Sequence, residues 1–166
     1  MCKRVMERAE ENTAGEKAEL SAFPTTLQEP WRSRRTNSDE MINLAVNISR
    51  ENETGSSNPA MRGFSFFDAP VGLIITMDRS LGKAQIMDTG IFLHSILLLA
   101  HERGLATCLQ ASWNLWSETV REVLSIHGEE MIMAGIALGY AKQDEPVNGI
   151  SQPRMQPDQF IAMHGF

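Results

Sequence analysis

Cysteine is scarce in this sequence, and the segments that mark secreted proteins are missing from it. The 166 residues include two cysteines, Cys2 and Cys108, which lie far apart in the chain. Two such cysteines are most simply free thiols in a reducing compartment. The N-terminus is charged from its third residue and lacks the apolar stretch that secretory signals carry. We therefore expect a cytoplasmic protein.

A strong charge of one sign and the common catalytic motifs are also absent. The net charge is −6 with both signs mixed along the chain, which is unlike the basic surface of a nucleic-acid-binding protein. No uninterrupted apolar run is long enough to cross a membrane, and G-x-G-x-x-G, Walker A, G-x-S-x-G and C-x-x-C motifs do not occur. His94 and His101 lie seven residues apart, but no cysteine or carboxylate accompanies them at ligand spacing. We expect no metal site, no nucleic-acid partner and no membrane partner.

One stretch near the middle of the chain organises the rest. Apolar residues indicate a strand at Val71–Met77 and a long helix at Ile86–Ala100. Gly104 is the expected stop of that helix, because glycine adopts the left-handed conformation of a helix C-terminus. A second strand follows at Leu105–Gln110, and a polar loop then leads to Trp113. This order predicts a βαβ-like core unit.

The predicted helix is apolar almost all the way round. Its polar residues reduce to a narrow stripe that contains Asp88, Ser95 and Glu102. A helix on a protein surface keeps a wide polar face. We therefore expect this helix to be buried between a sheet and either a second helical layer or a partner chain. Gly90 inside the helix also suggests a close approach of backbone at that point.

The remaining sequence predicts a set of elements that cover this unit. A charged peripheral helix, or two short ones, is expected over Met1–Leu20, and a surface loop over Ser21–Thr36. The other predicted elements are a helix with its N-cap at Ser38, a polar loop at Glu51–Asn58, an amphipathic helix at Ser117–Ile126, a core strand at Met131–Tyr140, and an extended arm with three prolines at residues 142–166. Together they predict a single α+β domain over residues 1–166.

A succession of short segments carries a family resemblance. The segments are FFDAPVGL at residues 66–73, ERGLATC at 102–108, QASW at 110–113 and GIALGYA at 135–141, followed by Arg154. In this order they resemble the nitroreductase family of FMN-dependent oxidoreductases. The resemblance extends from about Pro24 to Phe166.

The resemblance implies a fold, an assembly and a reaction. The fold would be α+β, with a mixed sheet flanked by helices, and the assembly an intertwined homodimer with FMN at the subunit interface. The C-terminal arm would reach across the partner. In such enzymes NAD(P)H reduces the flavin, which then reduces a nitroaromatic, quinone or enone acceptor. Because the flavin carries the chemistry, the resemblance implies no catalytic side chain, and the protein holds and tunes the cofactor.

The resemblance also implies which residues contact FMN. Backbone amides of Gln110, Ala111, Ser112 and Trp113 match the family's segment along the isoalloxazine ring. The other interpretation of this segment is a plain connection between a strand and a helix. Arg154 matches a tail arginine that pairs with the FMN phosphate, since a guanidinium suits a dianion. The other interpretation of Arg154 is a solvated surface arginine.

One part of the family pattern does not precede the matching region. Family members carry an Arg-Ser-x-Arg run for the phosphate and a Ser-Gly-x-Asn-x-Gln-Pro-Trp loop beside the flavin. The string Arg32-Ser33-Arg34-Arg35 imitates the first run but stands where relatives have a surface loop. We therefore expect an N-terminally shortened member with weakened or lost FMN binding. Two functions stay open: a working FMN oxidoreductase, and a catalytically impaired or flavin-free dimer that acts as a structural or interaction module.

Overall fold

The computed structural model describes residues 1–12, 14–16, 18–20, 24, 26–46 and 59–165. The helices are α1 (Cys2–Glu11), α2 (Trp31–Ala45), α3 (Pro59–Gly63), α4 (Lys83–Glu102) and α5 (Ser117–Leu124), and the strands are β1 (Val71–Asp78), β2 (Ala106–Gln110) and β3 (Glu130–Gly139). The chain divides into two compact units. The first contains α1, α3, α4, α5 and the three strands, and the second contains α2 and the C-terminal tail. The α+β class is confirmed.

The three strands form a sheet in the order β1, β3, β2. Both neighbouring pairs are antiparallel, with Val71 opposite Leu138 in one and Ala106 opposite Gly139 in the other. The predicted strand, helix, strand unit is present as β1, α4 and β2, but β3 lies between its two strands. The mixed sheet that we expected is therefore antiparallel throughout the described residues, because β3 separates two strands that run in the same direction.

β3 is the centre of the sheet and confirms the predicted core strand. Its residues from Ile132 to Ala137 are all buried. Since successive side chains of a strand point to opposite faces, this continuous burial means that β3 is covered on both faces. The loop that follows β2 packs against it.

α4 confirms the predicted long helix but is covered on one side only. It packs against β2, and its buried residues are Leu93 and Ala100. It ends where predicted, with Gly104 in the left-handed region at φ +72. A Cβ added at Gly90 would have nothing within 4 Å, so the close approach expected there is not made within the described chain. The side chains of Met87, Ile91, Phe92, Leu98 and Leu99 are each more than half exposed.

The N-terminal helix α1 is a core element, and its predicted peripheral position is wrong. Val5 is fully buried, and Ala9, four residues later on the same helix face, is almost so. Both belong to the hydrophobic cluster that contains Trp113 and Trp116. Most of the other α1 residues are charged, so two small buried residues gave little sign of this role in the sequence.

α2 begins at Trp31, well before the predicted N-cap at Ser38. Glu29 gives a physical reason, because its carboxylate accepts hydrogen bonds from the Ser33 backbone N–H at 3.3 Å and from the Ser33 hydroxyl at 2.5 Å. An acidic side chain that accepts from an N–H of the first turn stabilises the start of a helix. The predicted loop at Glu51–Asn58 lies outside the described residues.

The C-terminal tail follows the sequence prediction in being largely irregular. Its regular structure over residues 142–165, the part that is described, consists of two short 3₁₀ turns, Pro146–Gly149 and Pro157–Gln159. The first turn packs against α2. That residues 142–166 act as an arm of a single domain, and that the arm lies on a partner, stay predictions.

Candidate functional site

The predicted FMN-binding loop begins where β2 ends. Gln110 is the last residue of β2 and pairs with Gly135 of β3. A 3₁₀ turn over Ala111–Trp116 then runs directly into α5. The structure therefore places four of the five predicted cofactor contacts, Gln110, Ala111, Ser112 and Trp113, on or next to one short connection in the first unit.

The Trp113 side chain belongs to the hydrophobic core. It is fully buried, and its indole stacks on the Phe66 ring with centroids 4.6 Å apart. Phe64 meets the same indole edge-on at 5.6 Å. A Cβ at Gly135 would lie 2.2 Å from the indole Cδ1, so glycine is needed there for the indole to lie against β3. Any contact of Trp113 with FMN therefore falls to its backbone, as the resemblance implied.

A strained turn positions Phe66 for this stack. Phe66, Phe67 and Asp68 have φ values of 53, 55 and 60. For residues other than glycine the left-handed conformation costs about 1–2 kcal/mol each. Hydrogen bonds close the turn, from the Asp68 N–H to the Ser65 carbonyl at 3.1 Å and from the Ala69 N–H to the Phe66 carbonyl at 3.0 Å. The segment carries no glycine or asparagine that would have indicated the turn in the sequence.

Gln110 is the polar side chain of the loop with an unmet hydrogen-bonding group. The residue is 6% exposed, and its Nε2 donates to the Gly63 carbonyl at 2.6 Å. Its Oε1 is buried and has no hydrogen-bond partner among the described residues, and the same is true of Trp113 Nε1. Because buried polar atoms nearly always have a partner, Oε1 is a candidate acceptor for a donor on a bound molecule.

Asn114 ties the loop to the segment that follows α1. It is fully buried, and its Oδ1 accepts from the backbone N–H groups of Glu19 at 3.1 Å and Leu20 at 3.2 Å. Its Nδ2 donates to the Leu20 carbonyl. The sequence gave no sign of this positioning residue, because its partners lie 94 and 95 residues away in the chain.

Glu19 holds the same segment against the sheet. Its side chain is 13% exposed and accepts from the Ile132 N–H at 2.9 Å, from Arg121 Nη2 at 2.7 Å, and from Arg79. Burial alone would raise the pKa of Glu19, but these hydrogen bonds outweigh it and leave the pKa below its usual 4.5. The pKa of Glu16 is lowered by a similar balance of burial and hydrogen bonds. Both carboxylates are therefore ionised parts of the scaffold behind the loop.

Arg154, the fifth predicted contact, is exposed in the second unit. Its Nη1 donates to the carbonyls of Gln152 at 3.2 Å and Pro153 at 3.3 Å, and it forms no ion pair with the residues that the structure describes. In the arginine-rich segment at residues 32–35, Arg32 pairs with Glu29 at 2.7 Å. Of these two arginines, Arg154 is thus the one without a carboxylate partner in the part of the chain that the structure describes.

Comparison with known proteins places the chain in context. The family model described as "Nitroreductase family" matches residues 6–140, so the match includes most of α1, which the resemblance read from the sequence left out. The chain is 40% identical to a chloronitrobenzene nitroreductase of Comamonas testosteroni, over 89% of this chain and 65% of that protein. It is 38% identical to a nitrobenzene nitroreductase of Ectopseudomonas oleovorans, over 87% of this chain and 63% of that protein.

Solved structures agree with these relatives. The FMN and NADPH-dependent nitroreductase NfnB from sphigopyxis sp. strain HMH superposes with a TM-score of 0.92 at 32% identity, over 99% of this chain and 74% of that chain. The chain spans less than two thirds of the length of the two curated relatives above. The family model covers most of the chain, and the structural match covers nearly all of it. The chain belongs to the nitroreductase family.

Proposed function

We propose that this chain is an FMN-dependent oxidoreductase that uses NAD(P)H to reduce nitroaromatic compounds, and also quinone or enone acceptors. Family membership supports the reaction class, and two relatives are named for the reduction of chloronitrobenzene and nitrobenzene. The structural observation that carries the proposal is the Gln110 amide. It is buried at the start of the loop with one acceptor atom unpartnered among the described residues.

The side chains present fit a flavin by their chemistry. An isoalloxazine ring carries an N–H donor, and an unpartnered amide oxygen such as Gln110 Oε1 is a suitable acceptor for it. Backbone amides of Ala111, Ser112 and Trp113 are proposed as the donors along the ring. Arg154 is proposed as the partner of the phosphate, since its guanidinium has no ion-pair partner in the described chain.

The chain's own part in the reaction is to hold and orient. FMN, when bound, supplies the two-electron chemistry between NAD(P)H and the acceptor. Asn114 and Glu19 fix the segment behind the loop, and the packing of Trp113 against Gly135 fixes the loop itself. A site held by buried hydrogen bonds keeps its geometry better than a free loop. No side chain is proposed as a general acid or base.

We also propose that the chain forms a homodimer through α4. The exposed side of α4 carries large apolar residues, among them Phe92 at 57% and Leu98 at 57% exposure. Several large apolar residues exposed on one helix mark a candidate interface. Because it belongs to an element of the core fold, a second copy of the same chain is the occupant that we propose, with the C-terminal arm adding to the contact.

Lipid is the other occupant to consider for α4. Within the described residues, α4 is the helix long and apolar enough to cross a membrane by length and composition, with 11% of that window buried. However, β1 and β2 both pair with β3, so α4 must run back along the sheet that it connects. Because α4 is bound to its own sheet in this way, we favour a protein chain over lipid as the partner of its exposed side. We therefore propose a cytoplasmic protein.

A visible absorption spectrum of the purified chain tests the proposed function. We expect a flavin band that persists after FMN is added and the excess removed, that bleaches with NADH or NADPH, and that returns with nitrobenzene or benzoquinone. Gln110→Leu, which keeps the volume but removes the amide, should weaken FMN binding by about two- to tenfold, the worth of one hydrogen bond.

The same experiment separates the two functions that the sequence left open. A protein that stays colourless after incubation with FMN, while its circular dichroism shows a folded chain, would overturn the oxidoreductase and favour the flavin-free module. Glu118→Gln serves as the control for Gln110→Leu, because Glu118 is exposed and lies on α5.

A further inference from the structure

The middle residue of the strained turn is Phe67, whose side chain is not buried in the core. Phe67 is 37% exposed, whereas Phe66 on one side is 5% exposed and nearby Phe64 is 6% exposed. All three residues of the turn, Phe66, Phe67 and Asp68, have positive φ values. Left-handed conformations of bulky residues are rare, and strain of this kind concentrates at ligand-binding and active sites.

Packing against the core explains why the first residue of the turn, Phe66, is aromatic, but it does not explain Phe67. The Phe66 ring stacks on Trp113, and a Cβ at Gly72 would lie 2.5 Å from that ring, so Phe66 is held between β1 and the loop. Phe67 takes no part in this stack. A glycine or asparagine at its position would let the chain turn with less strain. The phenylalanine therefore needs a different explanation.

The Phe67 ring lies beside the predicted FMN-binding loop. A Cβ at Gly63 would stand 3.7 Å from Phe67 Cζ and 3.0 Å from Gln110 Nε2. The Gly63 carbonyl is also the acceptor for that same nitrogen. A side chain at Gly63 would thus come close to both the exposed ring and the buried amide whose oxygen is unpartnered among the described residues. The exposed ring and the unmet acceptor are neighbours in one unit.

We propose that Phe67 is a specificity-determining residue that forms an aromatic wall for planar aromatic acceptors. This inference rests on the proposed function and names the substrate class that the site favours. An exposed ring on a turn closed by backbone hydrogen bonds offers a face or an edge on which a nitroarene stacks, in the offset or edge-on geometry that aromatic pairs prefer. Acceptors without a ring gain nothing from it.

Substitutions that separate ring, bulk and backbone test this role. Phe67→Leu keeps apolar bulk without the ring, and Phe67→Tyr keeps the ring. We expect Phe67→Leu to raise KM for nitrobenzene by about tenfold, the upper range for one aromatic contact, and Phe67→Tyr to stay close to wild type. Turnover of ferricyanide, an acceptor without an aromatic ring, should stay within about twofold of wild type in both variants.

A binding measurement gives a second readout that does not depend on turnover. Benzoate, an aromatic molecule that the enzyme cannot reduce, is titrated into the FMN-loaded protein and followed through the change that it causes in the flavin spectrum. We expect weaker benzoate binding by the same factor in Phe67→Leu, and unchanged binding in Phe67→Tyr. Phe67→Gly should raise Tm above that of Phe67→Ala by a few degrees, because glycine adopts φ 55 without strain.

The outcomes distinguish this inference from the proposed function. If FMN binds and nitrobenzene is reduced, but Phe67→Leu leaves nitrobenzene KM and benzoate binding unchanged, the aromatic wall is refuted and the proposed function stands. If Phe67→Leu loses FMN itself, Phe67 acts on the cofactor and the assignment to the acceptor is refuted. If wild-type protein binds no FMN, both are refuted.

Discussion

The interaction of Glu19 with the sheet leads to a quantitative prediction about stability. Glu19→Ala leaves the Ile132 N–H and the Arg121 guanidinium without their shared acceptor. Hydrogen bonds to a charged group contribute about 1.5–3 kcal/mol each, and the loss of one partner of a largely buried pair is strongly destabilising. Arg79 is 40% exposed, so solvent screens its contribution and we leave it out. We expect the free energy of unfolding to fall by about 2–4 kcal/mol.

The pH dependence of this effect has a definite sign. The pKa of Glu19 is lowered in the folded chain, because its hydrogen bonds outweigh the burial that alone would raise it. Its stabilising contribution is therefore fully present above the usual pKa of 4.5 and is lost as pH falls through the lower folded value. The difference in unfolding free energy between wild type and Glu19→Gln should be largest near neutral pH and shrink in acid.

Urea unfolding followed by tryptophan fluorescence measures both quantities. Trp113 and Trp116 lie in the core cluster, so their emission reports on loss of the fold. Protein concentration is held constant, since the stability of the proposed dimer would depend on it. Glu118→Ala is the matched control, because Glu118 is an exposed carboxylate that forms no hydrogen bond within the described residues. A Glu19→Ala variant no less stable than Glu118→Ala, or a Glu19→Gln difference that is the same at pH 4 and pH 7, would refute the reasoning.

Two further predictions concern the cofactor and the dimer. Arg154→Ala should weaken FMN binding by about tenfold without changing the proposed dimer. Arg4→Ala, which replaces another exposed arginine, should leave FMN affinity unchanged. If a fluorescence titration gives equal FMN affinities for the two variants, Arg154 does not bind the phosphate. Phe92→Asp on the exposed side of α4 should dissociate the proposed dimer, and so should removal of residues 146–166. Leu44→Asp, which changes an exposed leucine on α2, should leave the dimer intact. Sedimentation that shows the same species for all of these proteins would count against the proposed interface.

Local patterns in the sequence predicted the regular elements of the first unit well. The segments that became β1, α4 and β3 are rich in apolar residues, and the glycine after α4 readily adopts the left-handed conformation that ends a helix. Such signals depend on neighbouring residues alone. They also carried the family resemblance, which the comparisons confirmed.

Errors arose where distant residues decide the outcome. α1 reads as a surface helix, yet Val5 is buried because the rest of the core closes around it. We expected a mixed sheet, but the three strands of the described residues are antiparallel, because β3, last in sequence, lies between the two strands that precede it. α2 begins early because the Glu29 carboxylate accepts hydrogen bonds from Ser33. Periodicity cannot report on contacts of this kind.

The candidate site shows the same division. The sequence alone predicted a short polar connection after β2 that carries Gln110 and Trp113, and the structure has it there. The flavin contacts that the family resemblance implies for this connection stay a prediction. Only the tertiary structure decided that Trp113 is core, that Gln110 keeps an unpartnered acceptor within the described residues, and that Phe67 lies beside it. The physical reason is that burial and hydrogen-bond satisfaction depend on the packed chain and are set by residues far apart in sequence. Strand, helix and turn propensities depend on neighbouring residues, so they can be predicted from the sequence.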